Sequence, residues 1–271
     1  MFFIKTAWEI IEIARNPKRP IATDYIEKVF DEYIELHGDR VLDDDKCVFC
    51  GLAKINNQSY TVIAQLKGKN TKQNIERNFG MPKPESYLKA IRFMKEAQKF
   101  HRPIITFIDT KGAYPGEIAE ERGQGEAIAK SMLEMASVDV PIISFVIGEG
   151  SSGGALGLGV SNKVYMLSNS VYSILSPEGF SSILWKDSSR AKEAAGKMKL
   201  TAKDLLDFNV IDGIIDEPNV TEYDDDFIVD ISKRIRDIIV SDTLKLKKLT
   251  SNQIKEDRYN KFRKMGVSWW F

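Results

Sequence analysis

The sequence predicts an α/β fold whose central strands run parallel, and three observations carry that prediction. Pro103-Ile-Ile-Thr-Phe-Ile-Asp109 and Pro141-Ile-Ile-Ser-Phe-Val-Ile147 are nearly the same apolar, β-branched strand, each entered through a proline. Between them lie a glycine turn, Gly112 to Gly116, and a helix with Ile128, Met132 and Met135 on one face. Strand, turn, helix and sister strand make a βαβ unit, which requires parallel strands and favours a right-handed crossover. The second strand then empties into Gly148-Glu-Gly-Ser-Ser-Gly-Gly-Ala-Leu-Gly157, five glycines in ten residues. That pattern is a buried strand feeding a tight turn and a helix N-terminus.

The other elements follow in order. Residues 6 to 15 carry an apolar stripe of Trp8, Ile11 and Ala14, and Asn16-Pro17 stops that helix. Thr23 is placed to cap a second helix, with Ile26, Val29, Phe30 and Tyr33 on one face and Gly38 ending it. A charged loop, His37 to Asp45, leads into a hairpin of strands Cys47 to Ile55 and Ser59 to Gln65. Asn78 to Pro84 is a stiff turn before a helix that buries Leu88, Ile91, Met94 and Ala97. After the second glycine turn, Lys163 to Leu175 reads as a third strand. Ser176-Pro177 starts a helix, Thr201 caps a shorter one, and Ile211 to Ile215 is a short strand. A helix through Ile239 precedes a lysine- and arginine-rich tail, expected to be a solvated or partner-facing helix. The final Trp269-Trp270-Phe271 has no packing role that the pattern supports.

Composition narrows the function classes. The 271 residues can bury a substantial core, and 39 Lys plus Arg balance 39 Asp plus Glu. Bulk charge therefore points to neither nucleic acid nor membrane. No apolar run is long enough to span a bilayer and no cleavable signal is present, since Met-Phe-Phe-Ile is too short for either. A soluble cytoplasmic protein is expected. Cys47 and Cys50 form a C-x-x-C pair without the second pair a zinc site needs. A redox pair would open a helix; these stand in a strand and read as buried structural thiols, so no metal is expected in this chain.

The glycine turn at 148–157 allows three chemistries. Gly148-x-Gly150-x-x-Gly153 matches a dinucleotide fingerprint, but Leu167 to Ser170 supply no carboxylate to hold a ribose. Gly150-x-Ser152-x-Gly154 matches a nucleophile elbow, but both histidines, His37 and His101, lie upstream of the serine. Ser151 and Ser152 then read as small turn residues. The third chemistry uses main-chain N–H donors as an oxyanion hole. Both glycine turns sit at the carboxyl ends of parallel strands, where open α/β sheets bind ligands.

Neighbouring charges are weaker candidates. Lys67 to Lys72 is not a P-loop, having Ile63 where a glycine is required and Asn70 at the final Ser/Thr position. Lys67 and Lys69 could still meet a phosphorylated ligand, and a solvated loop is equally compatible. Glu117, Glu120 and Glu121 open a helix, where carboxylates ordinarily serve the dipole. Glu117 is nearest the turn and is a candidate base; Glu149 and Glu178 are lesser ones.

At these residues the chain resembles the alpha subunits of bacterial acetyl-CoA carboxylase carboxyltransferases. The likeness rests on HGDR (His37 to Arg40), RNFGMPKPESYLKAIRFM (Arg77 to Met94) and ITFIDTKGAYPG (Ile105 to Gly116). It continues through AEERGQGEAIAK (Ala119 to Lys130), VIGEGSSGGALGLGV (Val146 to Val160) and LSPEGFSSILWK (Leu175 to Lys186). The resemblance implies a crotonase-like (ClpP/crotonase) ββα superhelix, with a carboxyltransferase domain over 1–250. Within it lie a helical layer at about 1–37, a catalytic core at about 38–218 and a C-terminal helix; a basic tail occupies 251–271.

The resemblance further implies an α2β2 assembly, with zinc only in the beta subunit. Carboxybiotin is brought by the biotin carboxyl carrier protein, charged by a separate biotin carboxylase, and acetyl-CoA becomes malonyl-CoA. Nothing is bound covalently to this chain. The Gly153 and Gly154 amides would face the biotin ureido oxygen, with Gly112, Ala113 and Gly116 shaping the opposite wall. Tyr114, Gly150, Ser151 and Ser152 would line the substrate, with Lys67 and Lys69 nearby. Two positions depart from the family pattern: Lys111 stands where DTPGAYPG has its first proline, and Ser151 where GEGGSGGA has a glycine. Ser151 thus asks whether positive φ is needed there. The competing readings are a stand-alone crotonase-type hydratase or isomerase using Glu117 or Glu149, and a non-catalytic scaffold.

Overall fold

β-Branched runs are covered on both faces and become the centre of one mixed sheet. The computed structural model describes residues 5–219 and 222–266; Trp269-Trp270-Phe271 and the initial Met-Phe-Phe-Ile lie outside them. The strands are β1 (Glu32–Glu35), β2 (Val48–Ile55), β3 (Gln58–Gln65), β4 (Ile104–Thr110), β5 (Ile142–Ser151), β6 (Lys163–Leu167), β7 (Val171–Ser173) and β8 (Gly213–Ile215). Their order is β1-β2-β3-β4-β5-β6-β8, and β7 also pairs with β5. The first three are antiparallel and the rest of the path is parallel.

The sister strands pair as their likeness predicts, from Ile104 opposite Ile142 to Ile108 opposite Val146. Every residue of both is buried, because parallel strands are roofed by helices on each face. On one face Ile105, Phe107, Ile143 and Phe145 pack with helices Ala22–Val29 and Asp225–Leu246. On the other, Ile104, Ile108, Ile142 and Val146 meet Phe93, Met94 and Met135 from helices Pro84–Lys99 and Gln124–Ser137. Thr106 Oγ1 lies 2.6 Å from Ser144 Oγ and 2.9 Å from the Leu158 carbonyl, so even the polar rung of this pair is satisfied.

Four expectations change. The second helix is Ala22–Val29, opened by Ile21 rather than Thr23, and the chain after Phe30 becomes β1 instead of continuing to Gly38. Ile26, Val29, Phe30 and Tyr33 suit a helical stripe, but pairing of Tyr33 with Ala53 draws that segment into the sheet. The stretch 163–175 is two strands, β6 and β7, separated at 168–170. The helix after the first turn breaks at Gly123, whose φ of 78° ends Glu117–Glu121 and starts Gln124–Ser137. The basic tail contains a helix, Ser251–Lys264, whose inner face is anchored rather than solvated.

That anchor is Arg258, 1% exposed. Its guanidinium donates to the carbonyls of Met135, Val138 and Val140 and to Asn162 Oδ1. With no carboxylate in that bonding set, burial pushes its pKa down to about 10. Cys47 and Cys50 are buried free thiols in the hairpin, as expected. Burial pushes Cys50 up to about 12, so it stays protonated and unreactive. No helix among the described residues is long and apolar enough to cross a membrane.

A candidate active site where two glycine turns meet

The carboxyl ends of β4 and β5 lie side by side, with Thr110 opposite Gly150. The turns beyond them touch. A Cβ on Gly154 would sit 2.5 Å from Ala113 N and 2.6 Å from Gly112 C, so only a glycine lets the two backbones approach this closely. The 112–116 and 148–157 turns therefore share one place.

The second turn runs from Ser151 into a short helix, Ser152–Leu156. Ser151 is extended (φ −115°), so glycine is not required where the family pattern has it. The left-handed residue is Ser152, at φ 57°, a conformation costing about 1–3 kcal/mol outside glycine. Its hydroxyl has no hydrogen-bond partner among the described residues, and no histidine approaches it: His37 is bound to Asp44, 3.1 Å away. The elbow geometry is present without a base. Ser152→Ala should therefore keep turnover within about threefold of the parent, measured in the reconstituted carboxyl-transfer assay.

The amides of Gly153 and Gly154 have no acceptor among the described residues, while their carbonyls are held. Gly153 O accepts from Gly157 N at 2.9 Å. Gly154 O accepts from Gln65 Nε2 at 2.7 Å and from Tyr87 Oη at 3.2 Å. Gln65, at the end of β3, also accepts from Asp109 N at 3.2 Å. One buried amide side chain thus clasps both turns. Neither Gln65 nor Tyr87 stood out in the sequence; the only available signal was a polar residue closing an apolar strand.

On the first turn, Gly112 adopts φ 138° and its N–H donates to Thr110 Oγ1 at 3.1 Å. The wall residue Ala113 leaves its N–H without an acceptor among the described residues. Tyr114 N donates to Pro82 O, and its ring lies so close to Gly116 that a Cβ there would be 2.2 Å from Tyr114 Cε1. Gly150 is clamped between β4 and β7, with a would-be Cβ 2.9 Å from the Tyr172 ring.

Lys67 and Lys69 do not form an open phosphate loop. Lys67 Nζ is buried 2.6 Å from Asp109 and 3.1 Å from Glu149, and Lys69 pairs with Asp24. Arg15 takes the other Glu149 oxygen at 2.8 Å and reaches Glu178 at 2.8 Å. Burial opposes the charge on Glu149, but Lys67 and Arg15 outweigh it and hold the carboxyl below its usual range. Burial likewise opposes the Lys67 charge, and Asp109 and Glu149 overcome it, raising the ammonium. Glu149 is thus an ionised structural partner rather than a base. Glu117 lies exposed on the helix after the turn.

The sign of these shifts sets a pH expectation. A depressed carboxyl contributes stability that is present above its unfolded pKa and lost as pH falls through its folded one. A raised ammonium contributes below its unfolded pKa and loses that only as pH rises through the folded value. The Glu149 contribution should therefore hold at neutral pH and disappear on acidification below the usual carboxylate range. Urea-unfolding midpoints should fall there, and Glu149→Gln should flatten that limb.

Beside Ser152 and Gly153 opens a groove of about 490 Å³. It is lined mostly by apolar groups, among them Leu156, Val164, Tyr172, Leu205 and Phe262. Burial pushes the Tyr172 phenol well above its ordinary pKa, so it is neutral. Unpaired N–H donors at the mouth of an apolar groove are suited to a ligand oxygen that gains negative charge. No cluster of three or more metal-binding side chains occurs among the described residues.

Comparison with known proteins agrees with this architecture. The sequence profile of the acetyl co-enzyme A carboxylase carboxyltransferase-like family matches residues 2–266. An acetyl-coenzyme A carboxylase carboxyl transferase subunit alpha from Staphylococcus epidermidis is 54% identical over 259 residues, 96% of this chain and 82% of that one. One from Clostridium perfringens is 54% identical over 257 residues, 95% of this chain and 94% of that one. Among solved structures, transcarboxylase 12S aligns with a TM-score of 0.67 at 18% identity, over 86% of this chain and 44% of that one. The beta subunit of geranyl-CoA carboxylase from P. aeruginosa aligns at 0.65 and 17%, over 90% of this chain and 46% of that one. The fold is α/β and crotonase-like.

Proposed function

Because this chain belongs to the acetyl co-enzyme A carboxylase carboxyltransferase-like family, we propose that it is the alpha subunit of an acetyl-CoA carboxylase carboxyltransferase. It transfers a carboxyl group from carboxybiotin, presented by a carrier protein, to acetyl-CoA, giving malonyl-CoA for fatty acid synthesis. It acts with a zinc-bearing beta subunit in an α2β2 assembly in the cytoplasm, supplied by biotin carboxylase through the biotin carboxyl carrier protein.

The chain's own contribution is electrostatic. The N–CO2 bond of carboxybiotin breaks, the electron pair stays with the ureido group, and its oxygen gains negative charge. The amides of Gly153 and Gly154 donate to that oxygen, with Ala113 and the first turn holding the opposite wall. The ureido nitrogen then takes a proton from the acetyl methyl, and the resulting enolate adds to the released CO2. No serine or histidine is needed.

The observation that carries this reading is the pair of adjacent amides, without internal acceptors, held where two backbone turns touch. A hydratase would need a base, and Glu149 is doubly ion-paired. A scaffold would not need the Gly154 peptide clasped from two sides. In the deciding experiment, the purified chain is given acetyl-CoA and carboxybiotin with and without a matched beta subunit. Malonyl-CoA should form only with both chains. Product from this chain alone, or hydration of an enoyl-CoA, would contradict the proposal.

A further inference from the structure

Behind the first turn lies a second, smaller cavity of about 160 Å³, whose lining includes Arg15, Arg19, Lys67, Asp109, Lys111 and Glu149. Drug-sized ligands occupy about 300–1,000 Å³, so this space suits an ion of a few heavy atoms. Most of its charges are already matched. Lys67 and Arg15 bind the carboxylates described above, and Arg19 donates through Nε to the Ile147 carbonyl at 2.9 Å. Arg19 Nη2 lies 2.8 Å from Glu217.

Three groups remain. Arg19 is 5% exposed, yet its Nη1 has no partner among the described residues. The exposed Lys111 ammonium at the rim also has none. Asp109, 4% exposed, uses only Oδ1, which accepts from Glu149 N at 2.9 Å and pairs with Lys67; Oδ2 has no partner among the described residues. Gly148 is what brings this carboxylate against β5, since a Cβ there would meet Asp109 Oδ1 at 2.3 Å and Oδ2 at 3.0 Å. Arg19 binds the carbonyl of the preceding residue, Ile147, so guanidinium and carboxylate flank the same peptide. A buried guanidinium nitrogen without an acceptor costs about 1–3 kcal/mol or more, which a bound anion would remove.

Two cationic donors and one carboxylate oxygen around a small cavity are complementary to an anion that still carries a proton. We propose that this cavity binds a small hydrogen-bearing oxyanion, bicarbonate or hydrogen phosphate. Its oxygens accept from Arg19 Nη1 and Lys111 Nζ, and its hydroxyl donates to Asp109 Oδ2. Sulfate, fully deprotonated at neutral pH, would set an oxygen against that carboxylate and is disfavoured. Lys111 replaces the family's proline, so one of the two cations is a property of this chain. The site is separate from the groove at Gly153 and does not depend on the carboxyl-transfer reading.

The test needs no turnover. Thermal unfolding of the full chain is followed while bicarbonate, phosphate or sulfate is titrated at ionic strength held constant with chloride. A ligand that binds only the native state raises stability saturably. Bicarbonate or phosphate should do so, and their relative midpoints identify which is preferred; sulfate should require at least about tenfold more, as expected for a lost charge-assisted hydrogen bond. Lys111→Ala should weaken the effect about tenfold, Lys111→Arg should restore it, and Lys130→Ala should leave it unchanged. Equal stabilisation by sulfate, no saturable effect, or an unchanged response in Lys111→Ala would overturn the proposal.

Discussion

Gly154→Ala is expected to lower turnover by about 100- to 1,000-fold, the cost of losing one oxyanion donor. The added methyl would sit 2.5 Å from Ala113 N and 2.6 Å from Gly112 C. These are backbone atoms, so the contact can be relieved only by moving one turn away from the other. A displacement of about 1 Å at a reacting centre can already cost about 100-fold. Gly196→Ala is the matched control: a Cβ there meets nothing within 4 Å, and the residue lies in helix Ala191–Met198. That change should leave turnover intact and add up to about 1 kcal/mol of stability through helix propensity. The reconstituted enzyme's kcat, with circular dichroism to verify folding, separates the two. Parental turnover from folded Gly154→Ala would remove the close approach of the turns from the mechanism.

Gln65→Met should be the second large effect, and it acts at a distance from the substrate. Gln65 is fully buried and makes one hydrogen bond to each turn, through Nε2 to Gly154 O and through Oε1 from Asp109 N. Methionine fills similar space without either bond. Tyr87 would still hold Gly154 O, whereas the Asp109 amide would be left buried without this acceptor. Such losses cost about 1–3 kcal/mol per orphaned group, visible as a lower urea midpoint. Because the Gly154 peptide is then held from one side only, kcat should fall about 10- to 100-fold, while KM for acetyl-CoA stays near its parental value. A matching rise in KM with kcat unchanged would mean that Gln65 supports binding rather than the placement of the donors.

Much of this site was legible in sequence because it is main chain. The near repeat of Pro103 to Asp109 and Pro141 to Ile147 specifies two parallel strands, and the glycines after each mark where backbone can come close. Contacts between those turns follow from the topology alone. What was illegible depends on side chains that travel across the sheet. Gln65 and Tyr87 are ordinary residues within a strand and a helix; only β3 lying beside β4, with helix Pro84–Lys99 above, brings them to Gly154. Lys67 read as part of a basic surface loop because local sequence cannot show that Asp109 and Glu149, 42 and 82 positions later, close around it. Arg258 misled in the same way: a basic helix reads as solvated until three carbonyls and an asparagine are found facing it. The reading of 30–35 failed for a different reason, since a short apolar stripe satisfies a helix and an edge strand alike.

The central claim concerns where one oxygen sits, and a crystal structure of the reconstituted complex with biotin bound would locate it. The account predicts the ureido oxygen at about 2.7–3.1 Å from the amide nitrogens of Gly153 and Gly154, at the mouth of the groove that begins at Ser152. A ureido oxygen bound instead by side chains elsewhere, with both of those amides facing solvent, would contradict it.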